Sequence, residues 1–121
     1  MSGVGCFVGI GALAAIHFGI AGESEYTMLL GSMGATGVLV FGAPAAPFSQ
    51  PWNVLVGHTL SVLCGIAAYK FIAVPMETVA LALPIAAASS VFLMKLTNSV
   101  HPPAGGTTLI AVLGSPAIHA L

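Results

Sequence analysis

The sequence predicts an all-α fold, a polytopic transmembrane bundle in which two short glycine- and proline-rich half-helices occupy repeated positions. Three observations carry that reading. The 121 residues include only two Lys or Arg and three Asp or Glu, so 4% of the chain is charged, where a soluble domain carries about 25%. Hydrophobic residues make up 58% and the mean hydropathy is +1.08. The apolar residues fall in long runs, and a bilayer crossing needs roughly 20 of them in a row. The whole chain, 1–121, reads as a single transmembrane domain whose partner is the lipid bilayer. So few basic residues exclude nucleic acid as a partner, because phosphate binding needs many cations to displace counterions. Disorder is excluded by the high apolar content. Cys6 and Cys64 both lie inside apolar runs and read as small buried hydrophobes.

The first run, Ser2 to Ala21, holds neither charge nor proline. No Lys or Arg precedes it, which argues for a retained crossing helix over a signal peptide. Gly5 with Gly9, and Gly11 with Ala15, form small-residue pairs that let helices approach closely in lipid. Glu23-Ser24-Glu25 then marks an aqueous loop. The second run, Tyr26 to Ala46, carries Gly31, Gly34, Gly37 and Gly42. Glycine this dense weakens a helix by about 1 kcal/mol per residue relative to alanine. It is tolerated where a neighbour packs on the segment or the backbone meets a ligand. Pro44 and Pro47 close the segment, and Phe48 to Pro51 reads as a turn. The third run, Trp52 to Ala73, has Trp52 and Tyr69-Lys70 as interfacial anchors, with Ser61 and Gly65 as a further close-packing pair. Val74 to Glu77 reads as a tight polar break. The fourth run, Thr78 to Leu96, contains Pro84, which predicts a kink, and Lys95 should snorkel from its end.

Laying Gly34 on Gly106 aligns Thr36 with Thr108, Val40 with Val112, Gly42 with Gly114, Pro44 with Pro116 and Ala45 with Ala117. Each segment follows a full-length run. Paired interrupted segments in two halves point to a transporter binding site. In the second of them, Pro102 forces His101 out of the α region, and proline suits the first turn of a helix. A helix is therefore expected to start at about Pro102. The prolines have no N–H, so the amides of Ala104, Gly105 and Gly106 are expected to be its first free donors, with the Thr107 and Thr108 hydroxyls one turn on. A helix N-terminus carries about half a positive charge and unpaired N–H groups, which suits a small anion. His101 adds a switchable proton. In the first segment the amides from Ser32 to Gly34, with Thr36, would act in the same manner.

The run from Asn98 through His101-Pro102-Pro103-Ala104-Gly105-Gly106-Thr107-Thr108 to Gly114 resembles the signature of the HPP family of integral membrane proteins. The blocks Gly31 to Phe41 and Gln50 to His58 resemble that family's other strong region. The resemblance implies a protein of four transmembrane helices, with a closing span after Ala120 that a continuation of the chain or a second chain would supply. It also implies a similarity to plastid and cyanobacterial nitrite transporters, and so a plastid inner envelope or a bacterial inner membrane. His101, Pro102 and Pro103 are the residues that match the family's motif.

The leading expectation is a transporter or channel for a small inorganic anion, nitrite in the first place. The alternative is a packing or assembly subunit without a substrate. Either lipid or a second copy of the chain would cover the remaining apolar faces. A metal or enzyme site built from His17, His58, His101 and His119 is disfavoured, because the four lie far apart along the sequence and lack the close spacing of ligand motifs. No cofactor or metal is expected.

Overall fold

The computed structural model describes residues 1–21, 28–114 and 116–120, and all regular structure among them is helical. The elements are α1 (Ser2–Ala21), α2 (Met28–Gly42), a 3₁₀ turn (Pro47–Ser49), α3 (Pro51–Ala68), a π turn (Tyr69–Ala73), α4 (Val74–Met76), α5 (Ala82–Leu96), α6 (Pro102–Leu113) and α7 (Pro116–His119). The loop expected at Glu23 to Glu25 lies outside the described residues.

Proline places several helix starts. Pro51 opens α3 and Pro102 opens α6, where the missing N–H has no helical partner to lose. His101 precedes α6 in extended backbone, φ −138° and ψ 102°, as its position before a proline requires. Pro84 departs from expectation. The helix begins at Ala82, so Pro84 falls in its first turn, where proline is accommodated and no kink results. The break expected at Val74 to Glu77 is also displaced. Helix continues from Pro51 to Met76 as one apolar span of 26 residues, and the chain turns at Glu77, whose φ of 53° is left-handed. Within that span the Val74 N–H bonds to the Tyr69 carbonyl, one residue beyond the α register. Pro75 explains the slip, since its ring crowds the carbonyl four residues earlier and offers no N–H in exchange.

Helix α3 is the central rod. It packs against α5 and α6, which pack on each other, while α2 lies on α6 and α1 on α2. Glycines set the close approaches. A Cβ on Gly65 would stand 2.5 Å from the Ala111 Cβ and 2.6 Å from the Thr108 carbonyl oxygen, so α3 and α6 meet almost backbone to backbone. The Phe41 ring covers Gly5 and Gly9 of α1, as their spacing predicted. The Gly11–Ala15 pair has no such role, because nothing lies within 4 Å of the place where a Gly11 side chain would start. The two segments matched by the internal repeat, α2 and α6, face one another across Ser32 and Gly106.

The distribution of polarity is inverted relative to a soluble protein. Phe7, Ile20, Leu55, Phe71 and Phe92 stand on the outside, whereas Ser32, Thr36, His58, Ser61, Ser90, Ser99, His101, Thr107 and Thr108 are buried. A bilayer explains both halves of this pattern: lipid accepts the outer apolar side chains, and polar groups must find partners inside.

Candidate functional site

Most of the buried polar side chains join two hydrogen-bonded clusters where α2, α3, α5 and α6 meet. The smaller is a chain of hydroxyls. Thr108 of α6 donates to the Ser90 Oγ of α5 at 3.0 Å, and Ser90 shares a hydrogen bond of 2.8 Å with Ser61 of α3. It ties three helices together at depth, and its members are wholly buried.

The larger cluster centres on Thr36 of α2. Its Oγ1 lies 2.9 Å from His58 Nε2 and 3.0 Å from His101 Nε2, and it donates to its own helix at the Ser32 carbonyl, 3.1 Å away. The far nitrogen of each ring is also held. His101 Nδ1 meets the Phe48 carbonyl oxygen at 2.8 Å, and His58 Nδ1 meets Thr107 Oγ1 at 2.8 Å. Thr107 in turn donates to Ser32 Oγ at 2.8 Å. The two imidazoles face each other edge to face with centroids 5.0 Å apart. His101 is completely enclosed, and His58 is 9% exposed.

Each part is positioned by a local cause. Helix α2 presents Ser32 and Thr36 one turn apart on the same face. The 3₁₀ turn Pro47–Ser49 brings the Phe48 carbonyl inward, and that turn is anchored by Ser49, whose hydroxyl donates to the Leu39 and Ala43 carbonyls. Asn98, left-handed at φ 52°, reverses the chain after α5 so that His101 returns to the core. Asn53 secures the same connection by donating to the Val100 carbonyl at 2.9 Å. Gly57 gives His101 its room, because a Cβ there would lie 2.9 Å from the His101 Cβ and 3.1 Å from the Ser99 carbonyl oxygen. Gly57→Ala is therefore expected to displace the ring and to destabilise the protein by about 1–3 kcal/mol, the usual range for overpacking. Thermal unfolding in detergent measures it, and an unchanged melting curve would refute the assignment.

The sequence-derived candidates divide. Ser32, Thr36, His101 and Thr107 come together in the larger cluster, and Thr108 belongs to the neighbouring one. Gly34 does not join them: it borders a groove toward α1 with Gly3, Cys6, Phe7, Ile10, Gly11 and Ala14. The expectation of a free amide fails at Ala104, whose N–H donates to the His101 carbonyl at 2.9 Å. Gly105 and Gly106 stand fourth and fifth in α6. The amides of Ser32 to Gly34 are interior to α2, which begins at Met28, where N–H groups bond within the helix. Pro102 and Pro103 instead line an apolar groove of about 610 Å³ with Ala35, Val38, Leu39, Gly42 and Ala43.

His58 is the member of the buried cluster that the anion reading leaves out. Its signal was a histidine two turns into an otherwise apolar helix, at the end of the Gln50 to His58 block. It also borders a groove of about 330 Å³ with Thr59, Val62 and Leu63. Among the other histidines, His17 pairs with Phe18, and His119 stacks on Tyr69 and reaches the Val112 carbonyl. No three His, Cys, Asp or Glu side chains gather as metal ligands among the described residues.

The geometry buries His101 of the His-Pro-Pro turn among the helices and leaves its two prolines at a groove, and the sequence profile described as HPP, transmembrane region, matches residues 1–121 in full. The chain belongs to the HPP family. Two proteins of Dictyostelium discoideum, both named as transmembrane proteins, are similar to it. One is 39% identical over 108 residues, which is 89% of this chain and 38% of that protein. The other is 37% identical over 109 residues, 90% of this chain and 35% of that protein. This HPP domain thus spans less than two fifths of the length of either relative. No solved structure matches it. Membership and composition together make the chain an integral membrane protein.

Proposed function

We propose that this HPP domain carries a small monovalent inorganic anion across the membrane, nitrite being the substrate that the family resemblance favours. The observation that supports it best is the convergence of Ser32, Thr36, His58, His101 and Thr107 at the crossing of the two repeat-related helices with α3. Ionisable side chains inside a membrane bundle mark substrate or ion pathways. Hydroxyl and imidazole N–H groups, hydrogen-bonded to one another in this structure, are the donors that an anion would have to engage in place of the helix-end amides that the sequence suggested. No buried Arg or Lys is needed if one of the two imidazoles takes up a proton as the anion enters, since that proton would supply the compensating charge.

The second reading, a packing or assembly subunit, is favoured by one specific observation: the cluster is hydrogen-bonded to itself. Such networks also serve to lock helices in register. Nitrite flux into proteoliposomes carrying the full-length natural chain separates the two. Transport predicts nitrite uptake above that of protein-free vesicles, together with its loss in His101→Ala. Uptake equal to protein-free vesicles would leave the scaffold reading.

A further inference from the structure

We propose that His58, Thr36 and His101 form a proton relay, in which the Thr36 hydroxyl passes one proton between two imidazole nitrogens inside the membrane.

The argument is a count of hydrogens. The Phe48 carbonyl can only accept, so His101 Nδ1 carries a proton. Thr107 spends its hydroxyl proton on Ser32 Oγ, so it accepts from His58 Nδ1, which carries a proton too. In its neutral form each ring then presents an unprotonated Nε2 to the same oxygen. Thr36 has one hydroxyl proton, and three acceptors lie within 3.1 Å of it: His58 Nε2, His101 Nε2 and the Ser32 carbonyl. The carbonyl already receives its helical N–H, but one imidazole nitrogen is left without a donor. A single added proton removes the deficit. With His58 as imidazolium, its Nε2–H donates to Thr36, and Thr36 donates to His101 Nε2.

That state has a mirror image. The His58 Nε2–H bond breaks as a new Thr36 Oγ1–H bond forms. The original Thr36 O–H bond breaks as His101 Nε2–H forms. The hydroxyl is regenerated, and the positive charge has moved from one ring to the other with no other reactant. The spacings of 2.9 and 3.0 Å are ordinary hydrogen-bond lengths, so transfer needs only rotation of the Thr36 hydroxyl from the Ser32 carbonyl toward an imidazole nitrogen. The groove lined by His58, Thr59, Val62 and Leu63 gives the first ring an approach from outside, while His101 is fully enclosed.

Few other charges bear on the pair. Helices α2 and α6 and the Pro47–Ser49 turn carry no titratable side chain among the described residues. Helix α3 adds Cys64, with Tyr69 and Lys70 in the π turn beyond it, and α5 adds Lys95 in its last turn. None of these hydrogen-bonds to either ring. His17 lies on α1, which packs on α2.

The relay deepens the transport reading by naming a proton as the ion that travels with the anion, though the relay itself can be measured without transport. The purified full chain, with ¹⁵N-labelled histidine, is titrated with acid in detergent or lipid while the imidazole nitrogens are followed by NMR. The expected result is one proton taken up jointly, with the His58 and His101 signals moving together. Thr36→Val should uncouple them, and Thr36→Ser should restore the joint titration. Separate, independent titrations in the unaltered chain, or a joint titration that persists in Thr36→Val, would overturn the relay. If Thr36→Val does not fold, His58→Asn serves instead, since it must leave His101 to titrate alone with an altered midpoint, and an unchanged His101 curve counts against the proposal. Failure of nitrite flux with an intact joint titration would refute the anion reading only. Where flux is present, Thr36→Val should slow proton-coupled nitrite uptake on the order of 100-fold, the lower end of what a positioned proton-transfer group contributes.

Discussion

His101→Ala is expected to abolish nitrite uptake and to lower the stability of the isolated protein by about 2–4 kcal/mol, from orphaned polar groups and a new cavity together. The ring is fully enclosed and joined to the Phe48 carbonyl and the Thr36 hydroxyl. Removing it strips the Phe48 carbonyl of its side-chain donor and takes from Thr36 one of its two imidazole partners. Hydrogen bonds between membrane helices average only about 0.6 kcal/mol, so the polar share of the loss is the smaller one and the cavity supplies the rest. His101→Gln separates the contributions, because a side-chain amide can still donate to Phe48. Its melting temperature should lie between those of His101→Ala and the unaltered chain. Unfolding of all three in detergent, followed by circular dichroism, makes the comparison. Equal melting temperatures for His101→Ala and the unaltered protein would show that the ring holds nothing together.

Gly65→Val is expected to have the largest effect on the fold. The first carbon of any side chain at this position would lie 2.5 Å from the Ala111 Cβ and 2.6 Å from the Thr108 carbonyl oxygen. The second of these is backbone, which cannot swing aside, so α6 would have to move as a body. Overpacking usually destabilises by about 1–3 kcal/mol, and this substitution adds further branches to a contact that already forbids one carbon. Displacing α6 also parts Thr108 from Ser90 and Thr107 from His58. Loss of folded protein after detergent extraction is the expected outcome. Gly11→Ala is the control of opposite sign. Its position is open, and replacing glycine in a helix gains up to about 1 kcal/mol. If the two variants extract and melt alike, the close seam between α3 and α6 is not what holds the bundle.

Much of the architecture is legible in local sequence. The apolar runs, the prolines that open α3 and α6 and the extended backbone at His101 all follow from rules that act within a few residues. The site was legible as a set of residue types but not as a geometry. Thr36, His58 and His101 are distant in sequence, and no local pattern says that their side chains meet. The misplaced donors have a simple cause. A helix has few free amides at its start, two of these are lost to Pro102 and Pro103, and the next, Ala104, folds back on the His101 carbonyl. Pro84 leaves no kink because α5 starts at Ala82, four residues into the apolar run, and the proline falls in its first turn. His58 has no ligand-like partner close by in sequence, and its partners Thr36 and Thr107 come from other helices.

At Gly57 and Gly65 the chain from Ser99 to Ala111 approaches α3 so closely that neither position has room for the first carbon of a side chain. Helix α2 meets α6 at Ser32, which accepts from Thr107 and lies 3.8 Å from where a Gly106 side chain would start. Among the described residues, Thr36 is the one side chain of α2 that touches both imidazoles, at 2.9 and 3.0 Å, and any displacement of α2 from α3 and α6 would part it from the two rings together.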